Sequence, residues 1–244
     1  IATFGVGYDG VPLDVAAGRA IVVANTPGVL NAAVAELCIG ALLALLRHLP
    51  QADAFVRAGR WPQGAFPLGA SLAGKRVGIV GLGGIGKDVA RRLEPFGVQL
   101  AYHGRSDQRL AWRFEADLTA LAGESDILIV TAPGGAQTRR MIDAGVLHAL
   151  GSQGVLVNVA RGSLVDQDAL VEALAAGRIG GAALDVFDDE PNVDPRLFAF
   201  ENVVLLPHIG SATAETRAAM GALMLDNLRT WFREGRAVTP VDLS

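Results

Sequence analysis

A single cysteine, Cys38, in 244 residues rules out a disulfide framework and suits a reducing compartment, so a cytoplasmic location is expected. Within its apolar surroundings Cys38 reads as a small core residue. No charge dominates: 21 Lys and Arg against 25 Asp and Glu leave a net charge of −4, which offers no surface for nucleic acid or membrane. Half the residues are hydrophobic, yet no apolar run reaches spanning length. The most apolar stretch, 34–46, is too short and predicts a buried helix. No His, Cys, Asp and Glu spacing fits a metal. Ser211 lacks the flanking pattern of a nucleophile elbow, which leaves hydrolase chemistry unsupported. Internal repeats and low-complexity tracts are absent. A starting methionine and a signal peptide are lacking too, and the chain opens inside an apparent strand, 1–6. The expectation is that an N-terminal portion precedes it.

What is present is a glycine turn in an informative context. Residues 75–80 form a short β-branched run that predicts a buried parallel strand. Gly81-Leu82-Gly83-Gly84-Ile85-Gly86 follows directly, and apolar residues at Val89, Ala90, Leu93 and Phe96 then mark one face of a helix. Strand, glycine turn and helix together point to a dinucleotide site. Gly81 permits the tight turn, Gly83 lets the backbone approach a pyrophosphate, and Gly86 allows close helix–strand packing. The helix N-terminus supplies amides and partial positive charge for the anion.

The next strand, 98–102, should end at the ribose reader. An NAD site places Asp or Glu there. This chain instead has His103-Gly104-Arg105-Ser106, with no acid before Asp107. A guanidinium and a hydroxyl would hold a 2′-phosphate that a carboxylate would repel, which favours NADPH over NADH. The alternative, in which Arg105 is a solvated arginine and Asp107 binds the ribose of NAD, stays open.

Further along, strands are expected at 20–24, 127–131, 155–159, 181–184 and 203–205, and helices at 11–17, 53–59, 118–122, 143–150, 167–175 and 214–234. Asn31 is the expected N-cap of the long apolar helix, and Asn25-Thr26-Pro27-Gly28 is a turn cluster that could act as a hinge. Alternation of this kind predicts an α/β fold with a doubly wound parallel sheet. Three polar residues stand where strands end: Arg161, Glu190 and His208. Each has a plainer reading, as a surface arginine, a member of an acidic run with Asp188 and Asp189, and a core histidine. His48, His103 and His148 have no comparable partners, and Trp61, Phe66 and Trp112 read first as packing residues.

The chain resembles the D-isomer-specific 2-hydroxyacid dehydrogenases, and within them the glyoxylate/hydroxypyruvate reductase branch. The resemblance rests on Val6-Gly7-Tyr8-Asp9, Asn25-Thr26-Pro27-Gly28, the fingerprint at 81–86, Asn158-Val159-Ala160-Arg161-Gly162, Leu184-Asp185-Val186-Phe187, Glu190-Pro191 and Pro207-His208-Ile209-Gly210-Ser211. It implies a Rossmann cofactor domain at 28–212. It also implies an N-terminally incomplete, flavodoxin-like substrate domain made of 1–27 and 213–244. Gly84 stands where many members carry Arg, and Ala132-Pro133-Gly134-Gly135 replaces a common Pro-x-Thr pattern.

By the same resemblance the chain reduces a small 2-keto acid, glyoxylate or hydroxypyruvate, as a homodimer. Alternatives are an NAD-dependent dehydrogenase of the phosphoglycerate or lactate type and a dinucleotide-sensing, corepressor-like scaffold. His208 would be the proton donor, with Glu190 holding its other ring nitrogen. Arg161 would grip the substrate carboxylate or polarise its carbonyl. The amides of Val6 and Gly7 would hold the other carboxylate oxygen, and Ser211 would sit beside the substrate. Asp185 would orient the nicotinamide carboxamide with Ala160 nearby. Ile85, Ala132, Pro133, Thr138, Val159 and Gly210 complete the implied cofactor contacts, together with Gly81, Gly83, Gly84, Gly86, Gly104, Arg105, Ser106 and His208.

Overall fold

The computed structural model describes residues 1–242; Leu243 and Ser244, the end of the expected 213–244 segment, lie outside the described residues. The chain divides into two compact units, Ile1–Val34 with Ser211–Ser244, and Ala35–Gly210.

The larger unit is built on a seven-stranded sheet, all parallel: β1 (Arg76–Val80), β2 (Gln99–His103), β3 (Arg113–Phe114), β4 (Ile127–Val130), β5 (Val155–Asn158), β6 (Gly181–Leu184) and β7 (Val203–Leu205), in the order β3-β2-β1-β4-β5-β6-β7. Every residue of β4, β5 and β6 is buried. That is why these strands read as unbroken apolar runs rather than alternating ones: parallel sheets are covered on both faces. The covering helices start where acidic side chains can satisfy their free amides. Asp117 accepts from Thr119 and Ala120 at the head of α5 (Leu118–Gly123), Asp143 from Val146 at α6 (Ala144–Leu150), and Asp166 from Ala169 at α7 (Gln167–Ala175). α4 (Gly84–Leu93) instead begins at Gly83, with no side-chain cap.

The strand order reverses between β1 and β4. The chain runs outward from β1 through β2 to β3, then returns to β4 on the other side of β1. In an open α/β sheet the crevice beyond the carboxyl ends of the strands at that reversal is where ligands bind. The register fixes which residues reach it. Val80 pairs with both His103 and Val130, Val130 with Asn158, Asn158 with Leu184, and Leu184 with Leu205. One row of paired residues therefore crosses the sheet at its carboxyl end, and the segments that follow it carry the polar residues singled out above.

Among the described residues of the smaller unit, α1 (Leu13–Gly18) and α8 (Ala214–Glu234) are the complete helices. The Thr213 hydroxyl caps α8 by accepting from the Thr216 amide at 3.1 Å. The side chain of Asn227 binds Thr239 at both its amide and its hydroxyl, and that hydroxyl donates to the Asn25 carbonyl at 2.6 Å.

Several expectations need correction. The apparent strands at 1–6 and 20–24 reduce to single bridges, Ala2 with Ala24 and Ala24 with Pro240. Asn31 is not a cap: α2 (Asn31–Leu46) begins with it, and the first helical acceptor is the Leu30 carbonyl, bonded by the Val34 amide at 3.1 Å. The helical segment expected at 53–59 starts earlier, as α3 (Leu49–Arg57). Cys38 is fully buried in α2, and burial pushes its thiol up to about 12. No single helix among the described residues is long and apolar enough to cross a membrane, and they contain no cluster of metal-ligating side chains.

Candidate functional site

The glycine turn follows β1, and its shape is dictated by close packing. Gly81 has φ +92°, and a Cβ on it would fall 2.4 Å from the Ala132 Cα, in the loop after β4. A Cβ on Gly86 would lie 2.4 Å from the Gly81 carbonyl oxygen, which already accepts a 2.5 Å bond from the Thr131 hydroxyl. At Gly83, by contrast, a Cβ would meet nothing within 4 Å. Two glycines are thus needed for protein packing, and the third leaves the backbone open to whatever lies before α4. The first amides of that helix have no helical acceptor. Packed glycines on either side of an open one at a helix N-terminus fit a dinucleotide pyrophosphate.

Beyond β2, the turn 104–106 is half-buried to exposed, and among the described residues Arg105 and Ser106 make no side-chain hydrogen bond or ion pair. Asp107 is engaged within the protein. Its Oδ1 accepts the Tyr102 hydroxyl and the Arg109 amide, both at 2.8 Å, and those two donors hold its carboxyl below the usual carboxylate range, the Arg109 amide most of all. His103 Nδ1 lies 3.1 Å from the Glu115 carbonyl. Beyond β4, Ala132 is buried against Gly81 and Pro133 is exposed, while the Thr138 hydroxyl closes the loop onto the Pro133 carbonyl at 2.7 Å.

At the end of β5, Asn158 shapes the turn that carries Arg161. Its buried side chain accepts from the Ala160 amide at 3.0 Å and donates to the Arg161 carbonyl at 2.9 Å. Val159 and Ala160 are buried, and the half-buried Arg161 guanidinium donates to the Ala160 carbonyl at 2.7 Å. Gly162 then packs against the next loop so closely that a Cβ would stand 1.9 Å from the Phe187 carbonyl carbon. The turn bearing Arg161 therefore lies against the turn bearing Glu190.

Glu190 and His208 are joined directly, with His208 Nδ1 2.6 Å from Glu190 Oε2. The other carboxylate oxygen accepts the Phe187 amide at 3.0 Å, which fixes the carboxylate plane. His208 is 47% exposed at its side chain, so its ring reaches solvent while one nitrogen is held. Its backbone sits at φ +53°, left-handed for a non-glycine residue. Asp185, 2% exposed, accepts the amides of Ile209 and Gly210, each at 2.8 Å. Burial raises its pKa, opposed by those two amides and the nearby His208. Sequence reasoning assigned Asn158, Tyr102 and Gln108 no site role, although Asn158 opens one of the motifs that carry the resemblance and is an amide closing an apolar strand. Val6, Gly7 and Ser211 belong to the smaller unit, where the Val6 carbonyl accepts the Asn25 side-chain amide at 2.8 Å and the Ser211 carbonyl accepts the Thr213 amide at 3.0 Å.

A parallel sheet with a glycine turn at its reversal point, and helices on its flanks, is a Rossmann-type α/β fold. The family model for the D-isomer specific 2-hydroxyacid dehydrogenase NAD binding domain matches residues 39–210, and the chain belongs to that family. It is 47% identical over 242 residues to a glyoxylate/hydroxypyruvate reductase A of Arabidopsis thaliana, covering 99% of this chain and 77% of the relative. It is 46% identical over 244 residues to a 2-ketogluconate reductase of Gluconobacter oxydans, covering 99% and 78%. Among solved structures it is similar to the NADPH-dependent glyoxylate/hydroxypyruvate reductase of Sinorhizobium meliloti in complex with NADP and malonate, with a TM-score of 0.97, 54% identity and coverage of 99% of this chain and 77% of that one. The chain thus spans about three quarters of the length of these relatives.

Proposed function

We propose that this chain is an oxidoreductase that reduces a small 2-keto acid, glyoxylate or hydroxypyruvate, to the D-2-hydroxy acid with NADPH. The observation that carries the reading is the Glu190–His208 pair, held at 2.6 Å on the same end of the sheet as the open glycine turn. The relatives named above support the substrate class. An NADPH preference is supported by the Sinorhizobium meliloti enzyme, described as NADPH-dependent, and by Arg105 and Ser106 standing where an acid would read NAD.

When bound, the nicotinamide supplies the hydride that reaches the keto carbon. The chain does the rest. His208 delivers a proton to the carbonyl oxygen, and Glu190 holds the ring by its Nδ1 so that Nε2 is the nitrogen turned to substrate. Arg161 binds the substrate carboxylate or polarises the carbonyl, as a planar cation does best. The turn of Gly81, Gly83, Gly84, Ile85 and Gly86 would hold the pyrophosphate, with Gly81 and Gly86 shaping it by packing and Gly83 leaving it open. Arg105 and Ser106, beside Gly104, would hold the 2′-phosphate, and Ala132, Pro133, Thr138, Val159 and Ala160 would complete the cofactor contacts. Asp185 acts through the 208–210 segment that it holds. In this reading the chain works in the cytoplasm as a homodimer, and the apolar side chains exposed along 49–68, Leu49, Val56, Trp61 and Leu68, favour a second copy.

The test is the fall in absorbance at 340 nm when the purified protein is offered glyoxylate and hydroxypyruvate with NADPH or NADH. Turnover with NADPH ahead of NADH is expected. Arg105→Ala should weaken NADPH far more than NADH, and equal weakening would mean that the 2′-phosphate is read elsewhere. Absence of turnover with every 2-keto acid would favour a cofactor-sensing scaffold instead.

A further inference from the structure

We infer that Tyr102, Asp107 and Gln108 form a positioning network that sets the cofactor preference of this chain, by locking the turn after β2 against the glycine turn and committing Asp107 to protein donors instead of a ribose. The inference rests on the NADPH reading of the site.

Tyr102 is fully buried one residue before the end of β2, with its ring packed on Phe114 at 5.4 Å between centroids. Its hydroxyl is the hub. It donates to Asp107 Oδ1 at 2.8 Å and accepts the Gln108 amide at 2.7 Å, the donor and acceptor capacity that only a tyrosine, and not a phenylalanine, brings to this place. Asp107 Oδ1 also accepts the Arg109 amide, and Arg109 takes φ +54°, a left-handed turn that closes the loop on itself. The side-chain amide of Gln108 then crosses to the fingerprint and donates to the Leu82 carbonyl at 2.8 Å. Leu82 lies between Gly81 and Gly83, so Gln108, through its side chain to Leu82 and its backbone amide to Tyr102, ties the glycine turn to the segment that follows Arg105 and Ser106.

Two consequences follow. First, the distance between the phosphate-binding turn and the ribose-reading turn is fixed by specific bonds rather than by packing alone. Second, Asp107, the first acid after β2, has an oxygen engaged by two protein donors, while Arg105 and Ser106 make no side-chain bond among the described residues. Asp107 carries its charge in either case; released from Tyr102, its carboxylate would be free to swing toward the ribose, to accept ribose hydroxyls and to stand closer to a 2′-phosphate. The network thus favours one dinucleotide over the other without touching either.

Tyr102→Phe keeps the ring and removes the hydroxyl. Gln108→Ala, at an exposed position, cuts the link to Leu82 without disturbing the core and covers the case in which the first variant folds poorly. Dissociation constants for NADPH and NADH, read by cofactor fluorescence, are the primary measurement. Amide hydrogen exchange at Gln108 and Arg109 is the second. The expectation for each variant is NADPH binding weakened about fivefold or more, the worth of a lost hydrogen bond, with NADH changed less than about twofold. Exchange at the two amides should quicken in Tyr102→Phe. Equal weakening of both cofactors would reduce the network to fold support and overturn the inference. A wild-type preference for NADPH that both variants retain would overturn the inference alone. A wild-type protein that binds NADH as well as NADPH would sink the NADPH reading, and this inference with it.

Discussion

Asp185 holds His208 through the main chain and not through the ring: its two carboxylate oxygens accept the amides of Ile209 and Gly210, the two residues after the histidine. A histidine at φ +53° occupies a region that costs of order 1–3 kcal/mol, and such a conformation persists only where neighbouring bonds over-determine it. Asp185→Asn offers one acceptor to two amides and turns an NH2 toward the second. The expected loss is about 1–3 kcal/mol of stability, from one buried donor left unsatisfied. Turnover should fall with it, since a small displacement of the proposed proton donor is costly. The pH dependence has a definite sign. Burial raises the Asp185 pKa above 3.8, so ionising it works against the fold. Its contribution is full below 3.8 and is lost as pH rises through the raised value. Urea unfolding across pH should therefore show the variant's deficit relative to wild type shrinking as pH rises above 3.8. A deficit that grows over that range would mean that the two amides outweigh desolvation.

Gly162→Ala tests the contact that sets the Arg161 turn against the Glu190 turn. The added methyl would stand 1.9 Å from the Phe187 carbonyl carbon and 2.4 Å from the Asp188 nitrogen, both backbone atoms that cannot rotate aside. One of the two turns must move. Over-packing of this kind costs about 1–3 kcal/mol where side chains can yield, and more is expected where only backbone can. The variant should unfold at lower urea concentration and lose turnover out of proportion to any loss of cofactor binding. Gly83→Ala is the comparison, because its methyl meets nothing in the protein. It should keep stability and weaken NADPH binding. Equal stability losses in the two variants would remove the distinction drawn here between packing glycines and an open one.

Much of this was legible along the chain because the signals are local. The bounds of α7, α8, β6 and β7 coincide with the expected ones, since each is an apolar run or helical face set off by turn or capping residues. The runs at 1–6 and 20–24 carry the same β-branched composition and share backbone hydrogen bonds, but among the described residues these form isolated bridges at Ala2 and Ala24 and no continuous ladder, so composition promised strands that pairing does not extend. β3 failed in the other direction. It is two residues, Arg113 and Phe114, held to the sheet edge by pairing with β2, and two residues show no period. At the site, the motifs named the residues but not the bonds. Nothing in the spacing of Asp185 and Gly210 shows that one accepts from the other, because the turn between β7 and α8 brings them together. The link from Gln108 to Leu82, 26 residues apart, was hidden for the same reason.

The Glu190–His208 pair makes the sharpest claim about chemistry. His208→Ala should lower turnover by about 10²–10⁴-fold with NADPH affinity nearly unchanged, the range expected when a general acid is removed. Glu190→Gln should be milder. The amide can still accept from one of its two present donors, the Phe187 amide and His208 Nδ1, but its NH2 must face the other. If Glu190 acts only by holding the imidazole, its effect requires the imidazole to be there. The double variant Glu190→Gln with His208→Ala should then be no slower than His208→Ala alone, a coupling as large as the whole single effect of Glu190→Gln. Single-turnover rates with saturating NADPH and hydroxypyruvate measure all four corners of this cycle. Additive losses would assign Glu190 a contact of its own with substrate or cofactor, and unchanged turnover in His208→Ala would move the proton donor elsewhere.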